Sequence, residues 1–361
     1  MTEQSITSHF RRRLVSTALA GLLVALAGAF AAPQSALSDD KNVVVFAGWG
    51  GNIESAQRKI FFDSFEKATG IKVIDVPGAD IVKVKAMVGN GNVEWDVVQS
   101  LGMWVPLGEK ENLWEKLDYA IIDRTGVPDT LVGPYGIGNS TYGMILAYNT
   151  KAFPAGKEPK SWADFWDVQH FPGKRGMLDE PRYNFETALM AAGAAPASAY
   201  PIDMEKAFAS LNRVKKDIHV WWKQWPQVPI LLSSQEIVMS LSSHTRILGV
   251  IKDEAAPLAI VWNHALMTVD SLAVPRGTPH REAAMKLVSW MTQAKLQAEF
   301  AKATRIGPAN AEALKSLSES EREDLPSYHY QKGEMLLLDN AWWAANSEKA
   351  AELWNKWKLE N

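Results

Sequence analysis

Val43-Val44-Val45-Phe46-Ala47-Gly48-Trp49-Gly50-Gly51-Asn52 passes from four large apolar residues into a glycine-rich loop. The apolar run reads as a short buried strand. Beyond the loop, Ala56, Ile60, Phe61, Phe65 and Ala68 fall on one face of a helix. Gly70 stands where a helix ends on a left-handed residue. Ile71-Lys72-Val73-Ile74 then returns to an extended pattern. Strand, helix and strand in this order imply a parallel pair with a right-handed crossover.

Outward from this unit the pattern recurs. A helix is expected near Ile81 to Val88, and the next strand at Trp95-Asp96-Val97-Val98. The fold class is therefore α/β. Tyr142-Gly143-Met144-Ile145-Leu146-Ala147-Tyr148-Asn149 reads as a strand leaving a first lobe. Ser161 is placed to cap the helix that begins at Trp162. Residues 176–268 alternate strands and helices again, as a second lobe. Val269-Asp270-Ser271-Leu272-Ala273-Val274-Pro275-Arg276-Gly277 reads as a return crossing, followed by a helix from His280 to Trp290. The tail from Asn340 to Lys358 is helical and rich in Trp.

The composition is that of a globular protein: 47% hydrophobic, 22% charged, net charge −3 over 361 residues. That length suggests two domains, each able to bury a core. No basic block or stripe appears, which argues against nucleic acid as a partner. With 0 Cys there are no disulfides, thiolate metal sites or Cys nucleophile. Arg11-Arg12-Arg13, the apolar run Leu14 to Phe30 and Ala29-Phe30-Ala31 read as a cleaved signal peptide ending near residue 32. A membrane anchor is the alternative. The seven His show no metal-ligand spacing. Gly173-Lys174-Arg175 lacks the upstream glycine of a phosphate loop, and no G-x-S-x-G elbow occurs. Neither a metal nor a cofactor is expected.

Asp270 is the residue that local structure does not explain. A carboxylate in a buried strand is costly unless something pairs with it. A cationic ligand is one partner; a turn cap or a nearby Arg is the other.

Phe46 to Gly51, Trp95 to Val98, Tyr142 to Thr150, Asp270 to Pro275, Glu282 to Val288 and Ile306-Gly307-Pro308-Ala309-Asn310, taken in order, resemble the periplasmic solute-binding proteins of ABC importers. The branch is that of the spermidine/putrescine receptors, and the resemblance covers nearly the whole mature chain. It implies a two-lobed periplasmic binding protein fold of type II, with a hinge of crossing strands and a ligand cleft between the lobes. Lobe one would be 41–147 plus 271–306, and lobe two 148–269 plus 307–361, crossing near Tyr148, Val269 and Gly307. The implied partners are a small amine ligand and an inner-membrane ABC permease, and the protein is expected to be a periplasmic monomer.

The resemblance also puts Asp270 where the polyamine receptors hold an ammonium group. Trp49, among glycines after a strand, can present its ring to a cation. Ser100 follows a strand on its carboxyl side, where open α/β sheets bind ligands. Glu180 aligns with a second acidic position. A later acidic position becomes Tyr183, aromatic ones become Thr268 and Ile306, and an amide position is Asn340. These replacements thin the negative charge that a polyamine needs. Arg246 adds a group able to grip a carboxylate. Asp270 with Arg246 would describe an ω-amino acid such as γ-aminobutyrate, unless Arg246 is solvated or pairs with Asp270 itself. The clustered Trp221, Trp222, Trp225, Trp342, Trp343, Trp354 and Trp357 read as packing, with sugar stacking as the alternative. No enzymatic turnover is expected. A Ser- or carboxylate-based hydrolase and a sensor-coupled receptor are the competing functions.

Overall fold

The computed structural model describes residues 42–360, so the expected signal segment lies outside the described residues. Ten strands form one sheet among them: β1 (Val43–Gly48), β2 (Lys72–Pro77), β3 (Val97–Leu101), β4 (Ile137–Asn149), β5 (Arg175–Leu178), β6 (Ile218–Trp222), β7 (Met239–Ser243), β8 (Leu258–Ala273), β9 (Gly307–Pro308) and β10 (Met335–Leu337). The strand order is β2-β1-β3-β8-β4-β7-β5-β6, with β9 on β4 and β10 on β8. The α/β class holds, and β1 and β2 pair in parallel as the opening unit requires. Gly70 ends their connecting helix at φ 72° and its N–H bonds the Glu66 carbonyl at 2.9 Å.

The sheet is built twice over. β1 lies between β2 and β3, all parallel; β5 lies between β6 and β7, all parallel. Each trio is joined antiparallel to a long central strand, β3 to β8 and β7 to β4. β4 and β8 pair with each other along nearly their whole lengths, with register breaks at Gly138/Ser140 and Met144/Leu146.

The cores follow this division. One apolar cluster holds Val44, Phe46, Phe61, Ile137, Leu272, Leu287 and Ile306. A larger one holds Met144 to Tyr148, Phe185, Leu241, Leu266 and Trp354. Tyr142 and Leu131 touch both. The Trp-rich tail serves packing: Trp343, Trp354 and Trp357 are buried in the larger cluster, and Trp354 and Trp357 lie 4.9 Å apart. Trp222 is likewise buried there, beside the less buried Trp221 and Trp225. Ser161 caps its helix as expected, accepting from the Asp164 N–H. No described helix is long and apolar enough to cross a membrane.

Candidate functional site

The carboxyl ends of β1, β3, β5 and β7 all point at the middle of the sheet, where β4 and β8 run side by side. β1 delivers Trp49, β3 delivers Gln99 to Gly102, β5 delivers Glu180 to Tyr183, and β7 delivers Ser243 to Arg246. Carboxyl ends of strands are where open α/β sheets present backbone and loops to a ligand.

Asp270 stands at the centre of this convergence, 3% exposed. Its Oδ2 accepts from the Trp49 indole Nε1–H at 2.7 Å and from the Gln99 amide Nε2–H at 3.1 Å. Gln99 is held in turn, since its Oε1 accepts from Gln57 Nε2 at 2.7 Å. Both bonds to Asp270 land on one oxygen, so Oδ1 keeps its lone pairs. The buried Tyr142 hydroxyl faces the Asp270 carboxylate and makes no hydrogen bond of standard geometry. Burial raises the Asp270 pKa to about 6, against the opposing pull of these donors and of Arg182. The residue is thus a carboxylate whose charge is under-compensated.

Arg182 is the cation that acts on it. Its guanidinium donates to Thr268 Oγ1 at 3.3 Å, lies 5.0 Å from the centre of the Tyr183 ring, and leaves a buried Nε–H without a partner. Glu180 and Glu186 also lie within its field. Glu186 is wholly buried; its Oε1 accepts from Tyr200 at 2.5 Å and Trp343 Nε1 at 2.6 Å. Asp270, Glu180 and Glu186 each feel this one guanidinium, and none of them forms an ion pair with it. Tyr183 sits among them at φ 73°, a left-handed backbone that a bulky residue adopts only under constraint.

The remaining sequence-derived candidates divide clearly. Asn340 opens the last helix and seats its amide against Gly102, where any Cβ would collide with it. Gly102 N–H bonds the Val269 carbonyl at 3.0 Å, so Asn340 stands one residue from Asp270, its Oδ1 buried and unpartnered. Glu180 is exposed, and its surroundings nevertheless raise its pKa through desolvation. Ser100 is fully buried, but the strand pleat turns it to the face opposite Gln99. Ile306 is buried in the smaller core. Arg246 is exposed in the first turn of the helix His244–Glu254 and makes no ion pair with Asp270 or with any other described residue.

Sequence reasoning missed Gln99, Tyr142 and Arg182. Gln99 carried the same signal as Asp270, a polar side chain in an apolar strand. Arg182 stands between Glu180 and Tyr183 in a charged stretch, where nothing local sets it apart. Trp49 was expected to offer its ring face; here the indole N–H is committed to Asp270, and the ring lies 5.7 Å from Trp104.

The model for "Bacterial extracellular solute-binding protein" matches residues 61–326. The Gamma-aminobutyric acid-binding protein of Pseudomonas aeruginosa is 33% identical over 339 residues, 91% of this chain and 94% of that one. Spermidine/putrescine-binding periplasmic protein 1 of Haemophilus influenzae is 26% identical over 311 residues, covering 82% and 84% of the two chains. A solved GABA receptor superposes with a TM-score of 0.80 at 32% identity, over 89% of this chain and 98% of its own.

Proposed function

This chain belongs to the bacterial extracellular solute-binding proteins, and we propose that the solute it captures is an ω-amino acid of the γ-aminobutyrate class. Its fold is the two-lobed one of the periplasmic binding proteins, and its work is to bind a small solute for an ABC importer. The single observation that carries the ligand reading is the pairing of opposite needs at one sheet centre. Asp270 has a free carboxylate oxygen. Arg246 stands at the carboxyl end of β7 with no counter-ion. A ligand with an ammonium at one end and a carboxylate at the other satisfies both. Arg182 is a poorer carboxylate grip, because Asp270, Glu180 and Glu186 already offset its charge. The relatives named for GABA and for polyamines support an amine at Asp270.

The halves of the sheet act as lobes that close over the ligand. We take the first crossing at Tyr142 and not at Tyr148, because Met144 to Tyr148 belong to the larger core and Tyr142 touches both. Closure follows only if the ligand touches the closed form better than the open one. Trp49 from one lobe, Arg246 from the other and Asp270 at the seam meet that condition. The signal peptide, the monomeric state, delivery to an inner-membrane permease and the lack of turnover complete the reading.

Thermal shift tests it. At about 100 times its Kd a ligand adds about 2.7 kcal/mol of stability. γ-Aminobutyrate is expected to stabilise the mature protein, and sugars are not. Stabilisation by putrescine and spermidine alone would overturn the reading. The exposed Glu180 favours that second reading, since it could balance a second ammonium. Arg246→Ala is expected to weaken γ-aminobutyrate by about 2–4 kcal/mol, or roughly 30- to 1,000-fold, by unpairing the ligand carboxylate. It should leave putrescine unharmed. Calorimetric titration of both ligands on both proteins checks this; equal loss for both would make Arg246 structural.

Affinity should also depend on pH in one direction. The free Asp270 pKa is about 6. A bound ammonium favours the charged form, so the pKa in the complex lies lower. Binding then releases a proton at low pH. Affinity should be flat above pH 6 and fall by up to about tenfold per unit below it. A flat profile down to pH 4.5 would mean that Asp270 does not contact the ammonium.

A further inference from the structure

His244 begins the helix that carries Arg246, and its imidazole is fully buried. Nδ1 accepts the backbone N–H of Gly143 in β4 at 3.0 Å. Nε2 meets the carbonyl of Arg305 at 2.8 Å. An N–H can only donate and a carbonyl can only accept. The ring is therefore neutral, with its single proton on Nε2. Burial works in the same direction and lowers its pKa to about 4.

Both partners are crossing points. Gly143 follows Tyr142, where β4 passes from one core to the other. Arg305 ends a helix at φ 60°, just before Ile306 of the smaller core and the β9 pair to β4. Gly143 has no side chain because Trp262 fills that space, 2.7 Å from where a Cβ would stand. Trp262 is braced by His329, stacked at 4.1 Å and 13°.

We infer that His244 is a positioning residue for the ligand carboxylate: its bond to Gly143 fixes how far Arg246 stands from Asp270, and so sets the length of ligand accepted. The chain of references is short. Asp270 pairs with Ser140 in β4, Gly143 lies three residues on, and Arg246 lies two residues beyond His244. Each link is a backbone pairing or a buried hydrogen bond. This inference rests on the ω-amino-acid reading and adds a determinant of selectivity to it.

The test compares β-alanine, γ-aminobutyrate and 5-aminovalerate by calorimetry on the mature protein, His244→Gln and His244→Asn. A well-shaped site discriminates by about tenfold or more per methylene. The Gln amide can replace Nε2 and hold Arg305, but it loses the acceptor that holds Gly143. Its preference among the three lengths should fall to within about threefold. Asn replaces the acceptor at Nδ1 and should keep the preference. Equal length preference in all three folded proteins would overturn the inference while leaving the ligand reading intact. Failure of the unaltered protein to bind any of the three would overturn both. Should a variant not fold, the ¹⁵N shifts of His244 in the unaltered protein decide: an acceptor Nδ1 that persists in the complex supports the role, and its loss on ligand addition overturns it.

Discussion

Asp270→Asn should weaken ligand capture severely and make the empty protein more stable. Both effects come from one arrangement. Trp49 and Gln99 donate to Oδ2 only. An Asn can put its carbonyl oxygen there, keep both bonds, and set its NH2 where Oδ1 stood. The ligand ammonium then meets a donor in place of an anion. Removing one partner of a desolvated charge pair costs about 2–5 kcal/mol, or roughly 30- to 5,000-fold in Kd. The stability change has the opposite sign. The folded pKa of about 6 lies above the unfolded value near 3.8. Between those values the folded state binds more protons than the unfolded one, so stability falls as pH rises from about 4 to about 6. At neutral pH the shift amounts to at most about 3 kcal/mol. Asn carries no charge to desolvate and escapes that cost. Urea unfolding at pH 7 and pH 4.5 checks it. The variant should gain midpoint at pH 7 and lose most of that gain at pH 4.5. A variant that loses binding and stability together would show that Asp270 is a structural carboxylate.

Arg175→Met should cost stability without touching affinity. Arg175 is fully buried at the start of β5, with no carboxylate in an ion pair. Its guanidinium donates to the carbonyls of Phe165 at 2.6 Å, Gly173 and Phe171 at 2.5 Å each, and Asp167 at 3.4 Å. It acts as a template that winds the loop from 165 to 173 around itself. Each orphaned buried carbonyl costs about 1–3 kcal/mol, and partial access of water to the loop should hold the total to about 3–5 kcal/mol. Arg175→Lys retains the charge and not the planar fork, and should recover less than half of the loss. The urea midpoints order the three proteins, and the Kd of the ligand should agree within about threefold. A cost below about 1 kcal/mol would mean that the loop holds its shape unaided.

Much of the fold is legible in the chain because periodicity and turn chemistry agree. The β1–β2 unit, the Gly70 stop, the Ser161 cap and the return strand through Asp270 all stand where alternation and capping put them. The second run of alternating strands and helices is legible from residue 176 on, but not that β5 to β7 repeat the arrangement of β1 to β3, because the two sets share no sequence pattern. The site was legible where chemistry and local structure conflict, as at Asp270. It was illegible where a residue satisfies local rules and gains its role from distant partners. His244 reads as an ordinary helix start and Arg182 as a charge among charges. Their meaning depends on Gly143 and Arg305 for His244 and on Asp270 for Arg182, none of them a sequence neighbour.

β8 lies at the centre of the sheet, between β3 and β4, and its sixteen residues end at Ala273. On the ribosome, β1 to β3 therefore emerge long before the strand that must close their inner edge. β4 waits likewise with one flank bare. Pairing across such long separations is slow, and unclosed edges delay compaction. Before residue 273 is made, neither half of the protein can complete its fold. A nascent chain in that condition offers proteases and other chains an open edge. The middle strand thus times maturation: neither half closes its sheet before that strand arrives.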